Sequence, residues 1–240
     1  MSVSQTKSIL TVGVMGGMGP DATVDFMAKV LAATPAGSDQ DHVHMLIDHN
    51  PHVPDRTRAI LGEGGDPGSV LARMASQLQQ ADADFIVMPC NTAHAYQSDI
   101  EAAISIPFIS IIDETVTACS GKSAIGLLAT KGCLVSGIYQ AALGAAGTET
   151  IVPDDDQVTE LANLIAAIKT GDCGPIVGAG MKQLAETLTA RGAEAVIAGC
   201  TEIPLVFDQS MLDVPLISST DILAEATVAY ALGERNLNQR

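Results

Sequence analysis

Phe85-Ile86-Val87-Met88-Pro89-Cys90-Asn91-Thr92-Ala93-His94 is an apolar run of strand length that ends at a cysteine and passes into a polar, helix-starting sequence. The same arrangement returns downstream as Ala195-Val196-Ile197-Ala198-Gly199-Cys200-Thr201-Glu202-Ile203-Pro204. A run with no polar alternation is what a parallel strand covered on both faces requires. Both cysteines therefore stand where a buried parallel strand ends. In open α/β sheets that edge is where ligands bind.

Outward from these two stretches the chain alternates strand and helix patterns. Ser8 to Met15 reads as a first strand, closed by the turn Gly16-Gly17-Met18-Gly19-Pro20. Pro20 and Asp21 suit the start of a helix that runs to about Ala33. Val43 to Ile47 reads as a strand, Asp48 to Arg58 as an irregular loop and Ser69 to Ala81 as a helix. A helix from Cys90 to about Ala103 and a strand over 106–110 complete the first half. The second half follows the same grammar: a strand over 123–129, a helix from Leu134 to Leu143, a strand at 149–152, helices over 158–169 and 175–191, the Cys200 strand and a strand at 214–218. A last helix covers Ile222 to Leu232. Three landmarks recur in order, Gly13 with Gly126, Cys90 with Cys200 and Pro107 with Pro215, at offsets of 113, 110 and 108. The expectation is an α/β protein of two pseudo-symmetric domains, each a mostly parallel sheet flanked by helices, with the site in the cleft between them. The first domain is assigned residues 1–117 plus 215–240, and the second residues 118–214.

Composition narrows the function. Hydrophobic residues make up 47% of the 240 and charged residues 17%, so the chain buries a core. The formal charge of -16 repels phosphate backbones and anionic membranes, and aromatics at 3% leave no stacking surface for bases. No apolar run is long enough for a bilayer, and the start of the chain has no signal-peptide core, so the expected location is the cytoplasm. Five cysteines without a C-x-x-C spacing point to free thiols.

A thiolate at a strand-to-helix junction lies near unpaired backbone N–H groups and the positive end of a helix dipole, both of which lower its pKa. Asn91, Thr92, Thr201 and Glu202 follow the two cysteines directly and can cap or offer hydrogen bonds to a ligand. Two such thiols facing each other across a cleft supply two bases on opposite faces of one carbon, the requirement for stereoinversion without a cofactor. The enolate-like intermediate needs fixed donors for its carboxylate. Cys119, Cys133 and Cys173 lack this context and read as packing or loop residues, although Cys133, on the turn after a strand, could line the cleft.

The stretches GVMGGMGPDAT (13–23), NPHVPDRT (50–57), GEGGDP (62–67), ADFIVMPCNTAHAY (83–96), IPFISIIDET (106–115), GLLATKGCLVSGIY (126–139), IKTGD (168–172) and RGAEAVIAGCTEIPLV (191–206) resemble the aspartate racemases of the aspartate/glutamate racemase superfamily, in the family's order. The resemblance implies inversion of aspartate, or of another acidic amino acid, by Cys90 and Cys200 without pyridoxal phosphate or metal, in a protein that is often a homodimer. It carries over Arg56 and Lys169 as substrate-side cations and adds Met18, Thr57 and Thr130 to the substrate contacts already read at Asn91, Thr92, Thr201 and Glu202. A guanidinium matching a carboxylate fits the need for local cations in an acidic chain. Glutamate racemases usually carry His where Glu202 stands, which argues for the aspartate type. Cys133 replaces a frequent Thr, and Ile165 a frequent aromatic residue.

Other readings compete. Gly17-x-Gly19-x-x-Ala22 after a strand, with Asp48 ending the next, resembles a dinucleotide fingerprint, though Pro20 interrupts the loop. His42, His44, His49 and His52 cluster in sequence as a metal site would, without fixed further ligands. A two-lobed small-molecule binding protein explains a cleft but not the paired cysteines. His94 either lies along a helix from Cys90 and tunes the thiol or is an exposed helix residue.

Overall fold

The computed structural model describes residues 9–237; Ser8, the expected first residue of the first strand, lies outside them. The first half runs β1 (Val12–Gly16), α1 (Pro20–Ala33), β2 (Met45–His49), α2 (Arg56–Ile60), α3 (Gly68–Gln80), β3 (Phe85–Val87), α4 (Gln97–Ala102), β4 (Phe108–Ile109) and α5 (Ile111–Ala118). The second runs β5 (Ala124–Leu128), α6 (Lys131–Ser136), α7 (Ile138–Ala145), β6 (Glu149–Ile151), α8 (Asp155–Lys169), α9 (Pro175–Ala190), β7 (Ala195–Ala198), β8 (Leu216–Ser218) and α10 (Ser219–Ala231). Two four-stranded sheets result, ordered β2-β1-β3-β4 and β6-β5-β7-β8, and every pairing is parallel. The order is the same in both, as the repeated landmarks imply.

Close packing explains why the two glycines recur. A Cβ on Gly13 would lie 3.1 Å from the Cβ atoms of Leu78 and Ala83. A Cβ on Gly126 would lie 3.0 Å from Leu188 Cβ and 3.3 Å from Ala193 Cβ. In each half the helix before the cysteine strand, α3 or α9, is drawn onto the central strand at the same place.

Strand periodicity divides the core. In β3, Phe85 and Val87 enter a central cluster while Ile86 joins an outer one under α3. In β7, Ala195 and Ile197 enter the central cluster and Val196 and Ala198 an outer one under α8 and α9. The central cluster is continuous between the sheets: Val12, Val14 and Phe26 pack in it with Ile125, Leu127 and Tyr139. The last helix lies on the first half, against α1 and α5. Lys29 of α1 reaches Asp221 of α10 at 3.2 Å, and Tyr230 Oη donates to Glu114 Oε1 of α5 at 3.2 Å.

Three local expectations fail for identifiable reasons. The helix expected from Leu134 to Leu143 is broken into α6 and α7 at Gly137, which sits at φ +69°, a left-handed conformation that ends a helix. The loop expected over 48–58 ends in a helix, α2, because the Asp55 side chain accepts the Arg58 N–H and caps it. The helix expected directly after Cys90 is instead a turn, then a 3-10 segment over Thr92–Tyr96, then α4.

Candidate active site

The carboxyl edges of the two sheets face one another. From the first come Met18, after β1, and Cys90, Asn91 and Thr92, after β3; from the second come Thr130, after β5, and Cys200, Thr201 and Glu202, after β7. Arg56 and Thr57 open α2, and Lys169 ends α8. All eleven of these residues, together with Asp55, line one small cavity. Asp55 went unnoticed in the sequence; its signal was a capping side chain at the head of the P-D-R-T stretch.

The two cysteine loops are tied directly. Thr201 Oγ1, one residue past Cys200, lies 3.4 Å from the Pro89 carbonyl, one residue before Cys90. Thr92 Oγ1 and Thr130 Oγ1 are 2.7 Å apart. Behind them runs a buried chain: Tyr139 Oη donates to Asn91 Oδ1 at 2.6 Å, Asn91 Nδ2 to Ser219 Oγ at 3.0 Å and Ser219 Oγ to the Ala198 carbonyl at 2.8 Å. Asn91 thus borders the cavity with its side-chain amide already committed to protein partners.

His94 corrects both sequence readings. It is neither exposed nor bonded to the thiol; it is buried and holds the backbone. Ile111 N–H donates to Nε2 at 3.1 Å, so that nitrogen is an acceptor. The ring proton is then on Nδ1, which donates to the Cys90 carbonyl at 2.9 Å. Burial drives the pKa of this ring down to about 4, against a smaller opposing effect of the Cys90 hydrogen bond.

The space between the cysteines is tight, about 20 Å³, scarcely more than one water requires. It adjoins a vestibule of about 360 Å³ bordered by Pro20, Asp21, Pro51, Val53, Ile168 and Leu205. Asp55, Arg56, Lys169 and Glu202 line both spaces and form the partition. Arg56 Nη1 donates to the Val53 and Pro54 carbonyls at 3.1 and 3.2 Å, while its buried Nε has no hydrogen-bond partner among the described residues. The glycine turn after β1 is fastened by Gly17 N–H donating to Thr23 Oγ1 at 2.8 Å.

A family model described as Asp/Glu/Hydantoin racemase matches residues 15–227. The chain belongs to that family. It is accordingly an enzyme of the amino-acid racemase type. It is 33% identical over 227 residues to the broad specificity amino-acid racemase RacX of Bacillus subtilis, a match covering 92% of this chain and 98% of the relative. The Picrophilus torridus aspartate racemase superposes with a TM-score of 0.84 at 30% identity, covering 92% of this chain and 94% of that one. The glutamate racemase of Francisella tularensis shares the fold, with a TM-score of 0.69 at 20% identity over 97% of this chain and 84% of that one.

The electrostatics of this racemase-family site differ from the helix-terminus argument. Neither cysteine opens a regular α-helix: Cys90 precedes a 3-10 segment, and Cys200 precedes a turn and the short 3-10 segment Ile203–Leu205. The 3-10 segment that follows each sulfur is too short to carry a helix dipole of useful size. Burial first, and the Glu202 carboxylate second, push the Cys200 thiol well above its ordinary value, with Lys169 pulling the other way. Burial and the Arg56 cation pull Lys169 down, but the negative charge of Glu202, with that available at Cys200 and Cys90, holds it above its ordinary value. Cys133 does not reach the cavity; it lies in the central core, with burial raising its pKa to about 12. Cys119 is buried and Cys173 exposed. Among the described residues no three His, Cys, Asp or Glu side chains converge as a metal site, and the four histidines of 42–52 make none. No helix among them is long and apolar enough to cross a membrane.

Proposed function

We propose that this chain racemises aspartate, and acidic amino acids close to it, without pyridoxal phosphate, by a two-base transfer between Cys90 and Cys200. The observation that carries the reading is the single cavity that both cysteines line, one from each half, in the company of Arg56 and Lys169. One sulfur, as thiolate, takes the α-proton. The electron pair left on the α-carbon spreads into the α-carboxylate, and the other sulfur, as thiol, delivers its proton to the opposite face. Hydrogen-bond donors at the cysteine loops stabilise the enolate-like charge as it grows.

Arg56 and Lys169 are the cations on the partition between the two spaces. In this reading they take the side-chain carboxylate, the bond of a guanidinium being charge-assisted and geometrically specific. An amino acid does not fit 20 Å³, so entry from the vestibule requires that partition to part, beginning with the 3.5 Å contact between Lys169 and Glu202. The 33% identity to a broad specificity racemase is the reason to test a panel of amino acids beside aspartate.

The deciding experiment is incubation of the purified protein with L-aspartate in deuterated water, no cofactor added. Loss of optical rotation with deuterium at the α-carbon supports the reading. Unchanged rotation with every acidic amino acid, or a loss that depends on added pyridoxal phosphate, refutes it.

A further inference from the structure

Cys90 and Cys200 occupy matching places in the two half-copies, yet the residues two positions further on do not match. Beside Cys90 stands Thr92, whose neutral hydroxyl is paired with Thr130. Beside Cys200 stands Glu202. Its Oε2 is 3.0 Å from Cys200 Sγ, with the thiol as donor, and its side chain is only 4% exposed. Its other oxygen, Oε1, is buried without a hydrogen bond and faces Lys169 Nζ at 3.5 Å. Among the described residues no carboxylate hydrogen-bonds the Cys90 sulfur.

We infer that Glu202 keeps the proton on Cys200, so that the resting site is chemically polar: it favours the direction in which Cys200 is the acid and Cys90 the base, and the opposite enantiomer needs the rarer, reversed state. The inference rests on the two-cysteine reading for its catalytic meaning. Glu202 is here a positioning residue, acting through Cys200. The reason is electrostatic. A thiol at 3.0 Å gives the carboxylate a charge-assisted hydrogen bond, whereas a thiolate there would set two anions side by side in a nearly dry space. The groups that face Cys200 are Glu202 on its own segment, Lys169 at the end of α8, Cys90 after β3, and Asp55 and Arg56 at the start of α2. Lys169 Nζ lies 3.5 Å from the Glu202 oxygen that does not meet the sulfur, so the cation is engaged with the carboxylate.

The proton count closes. The Cys90 thiolate forms an S–H bond as the α-carbon loses its hydrogen. The Cys200 S–H bond breaks as its proton goes to the opposite face of that carbon, leaving a Cys200 thiolate beside Glu202. Repulsion between those two anions favours recovery of a proton from water at Cys200, and Cys90 releases one to water. Glu202 borders both the inner cavity and the vestibule, where water has access.

The test reads ionisation at each sulfur separately. The intact protein is alkylated with iodoacetamide across a pH series, and the rate at each cysteine is followed by peptide mass spectrometry. In the unaltered protein the rate at Cys200 should rise about a midpoint well above 9.0, the ordinary value for a thiol. In Glu202→Gln the rate at Cys200 at neutral pH should increase about tenfold or more, one pKa unit being a factor of ten in thiolate, while Cys90 changes by less than about twofold. A Cys200 midpoint at or below 9.0 in the unaltered protein overturns the inference, as does an unchanged or slower rate in the variant. The buried Cys119 and Cys133 report folding. If they open together with Cys200 in Glu202→Gln, Glu202→Thr, which copies the residue beside Cys90, takes its place with the same expected and refuting outcomes. Alkylation does not depend on turnover, so a protein that racemises nothing yet shows this asymmetry would refute the proposed function and leave the proton assignment standing.

Discussion

Acidification should weaken this protein through one buried ring. His94 is sealed in the first half, its Nε2 accepting the Ile111 N–H and its Nδ1–H donating to the Cys90 carbonyl. Only the neutral ring can make both bonds, because the protonated ring has no acceptor. The folded pKa, about 4, lies below the ordinary 6.5 expected of the unfolded chain, mainly through burial. The neutral form is the one the fold favours, so the stability it contributes is whole above pH 6.5 and is lost as pH falls toward 4. A gap of about 2.5 at about 1.4 kcal/mol each comes to roughly 3 kcal/mol in total. By pH 5 about 2 kcal/mol of it should already be gone. Urea unfolding at pH 8 and pH 5 measures this, with His94→Asn as the control that cannot titrate. The variant should be less stable at pH 8, having lost a buried acceptor, but its drop between the two pH values should be smaller than that of the unaltered protein by about 2 kcal/mol. Equal drops in both proteins would show that this ring does not govern the acid response.

Three further outcomes follow from the geometry. Cys90→Ala and Cys200→Ala should each abolish racemisation while one enantiomer still exchanges its α-proton with solvent, more slowly in Cys90→Ala, where the remaining Cys200 is held as a thiol, a result read by mass spectrometry in deuterated water; full activity in either variant would rule out two-base transfer. Arg56→Ala should cost about 1.5–3 kcal/mol in kcat/KM, roughly ten- to a hundredfold, for acidic substrates and less for neutral ones, and equal losses across a substrate panel would remove the side-chain carboxylate from its role. Tyr139→Phe deletes the hydroxyl that donates to Asn91 Oδ1 at 2.6 Å and leaves a buried acceptor unpaired, for a loss of about 1–3 kcal/mol by urea unfolding; a change within about 0.5 kcal/mol would show that Asn91 finds another donor.

The readable part of this fold was the part set by burial on two faces. Strands such as Phe85–Val87 and Ala195–Ala198 are covered on both sides, so they appear as unbroken apolar runs, and Gly13 and Gly126 recur because the same helix-to-strand approach is made twice. Every residue expected at the site lines one cavity; eight of the eleven follow strand ends, which are fixed once the strands are, while Arg56, Thr57 and Lys169 sit at helix ends and were expected from motif resemblance. What burial patterns did not encode was direction beyond the strand end. Spacing of four residues places His94 beside the Cys90 side chain only if a regular helix starts at once. A turn and a 3-10 segment intervene, and the ring meets the Cys90 carbonyl instead. The same irregular step after Cys200 turns Glu202 back onto the sulfur it follows. Duplication therefore accounts for the frame but not for the chemistry within it. A frame copied twice would make the two thiols equal, and Thr92 in one copy against Glu202 in the other is the point at which the chain stops being symmetric. An enzyme that works on both enantiomers still has to start each cycle with one sulfur protonated and one not. Opposite enantiomers need opposite starting states, and a carboxylate beside Cys200 alone favours the one in which that sulfur holds the proton.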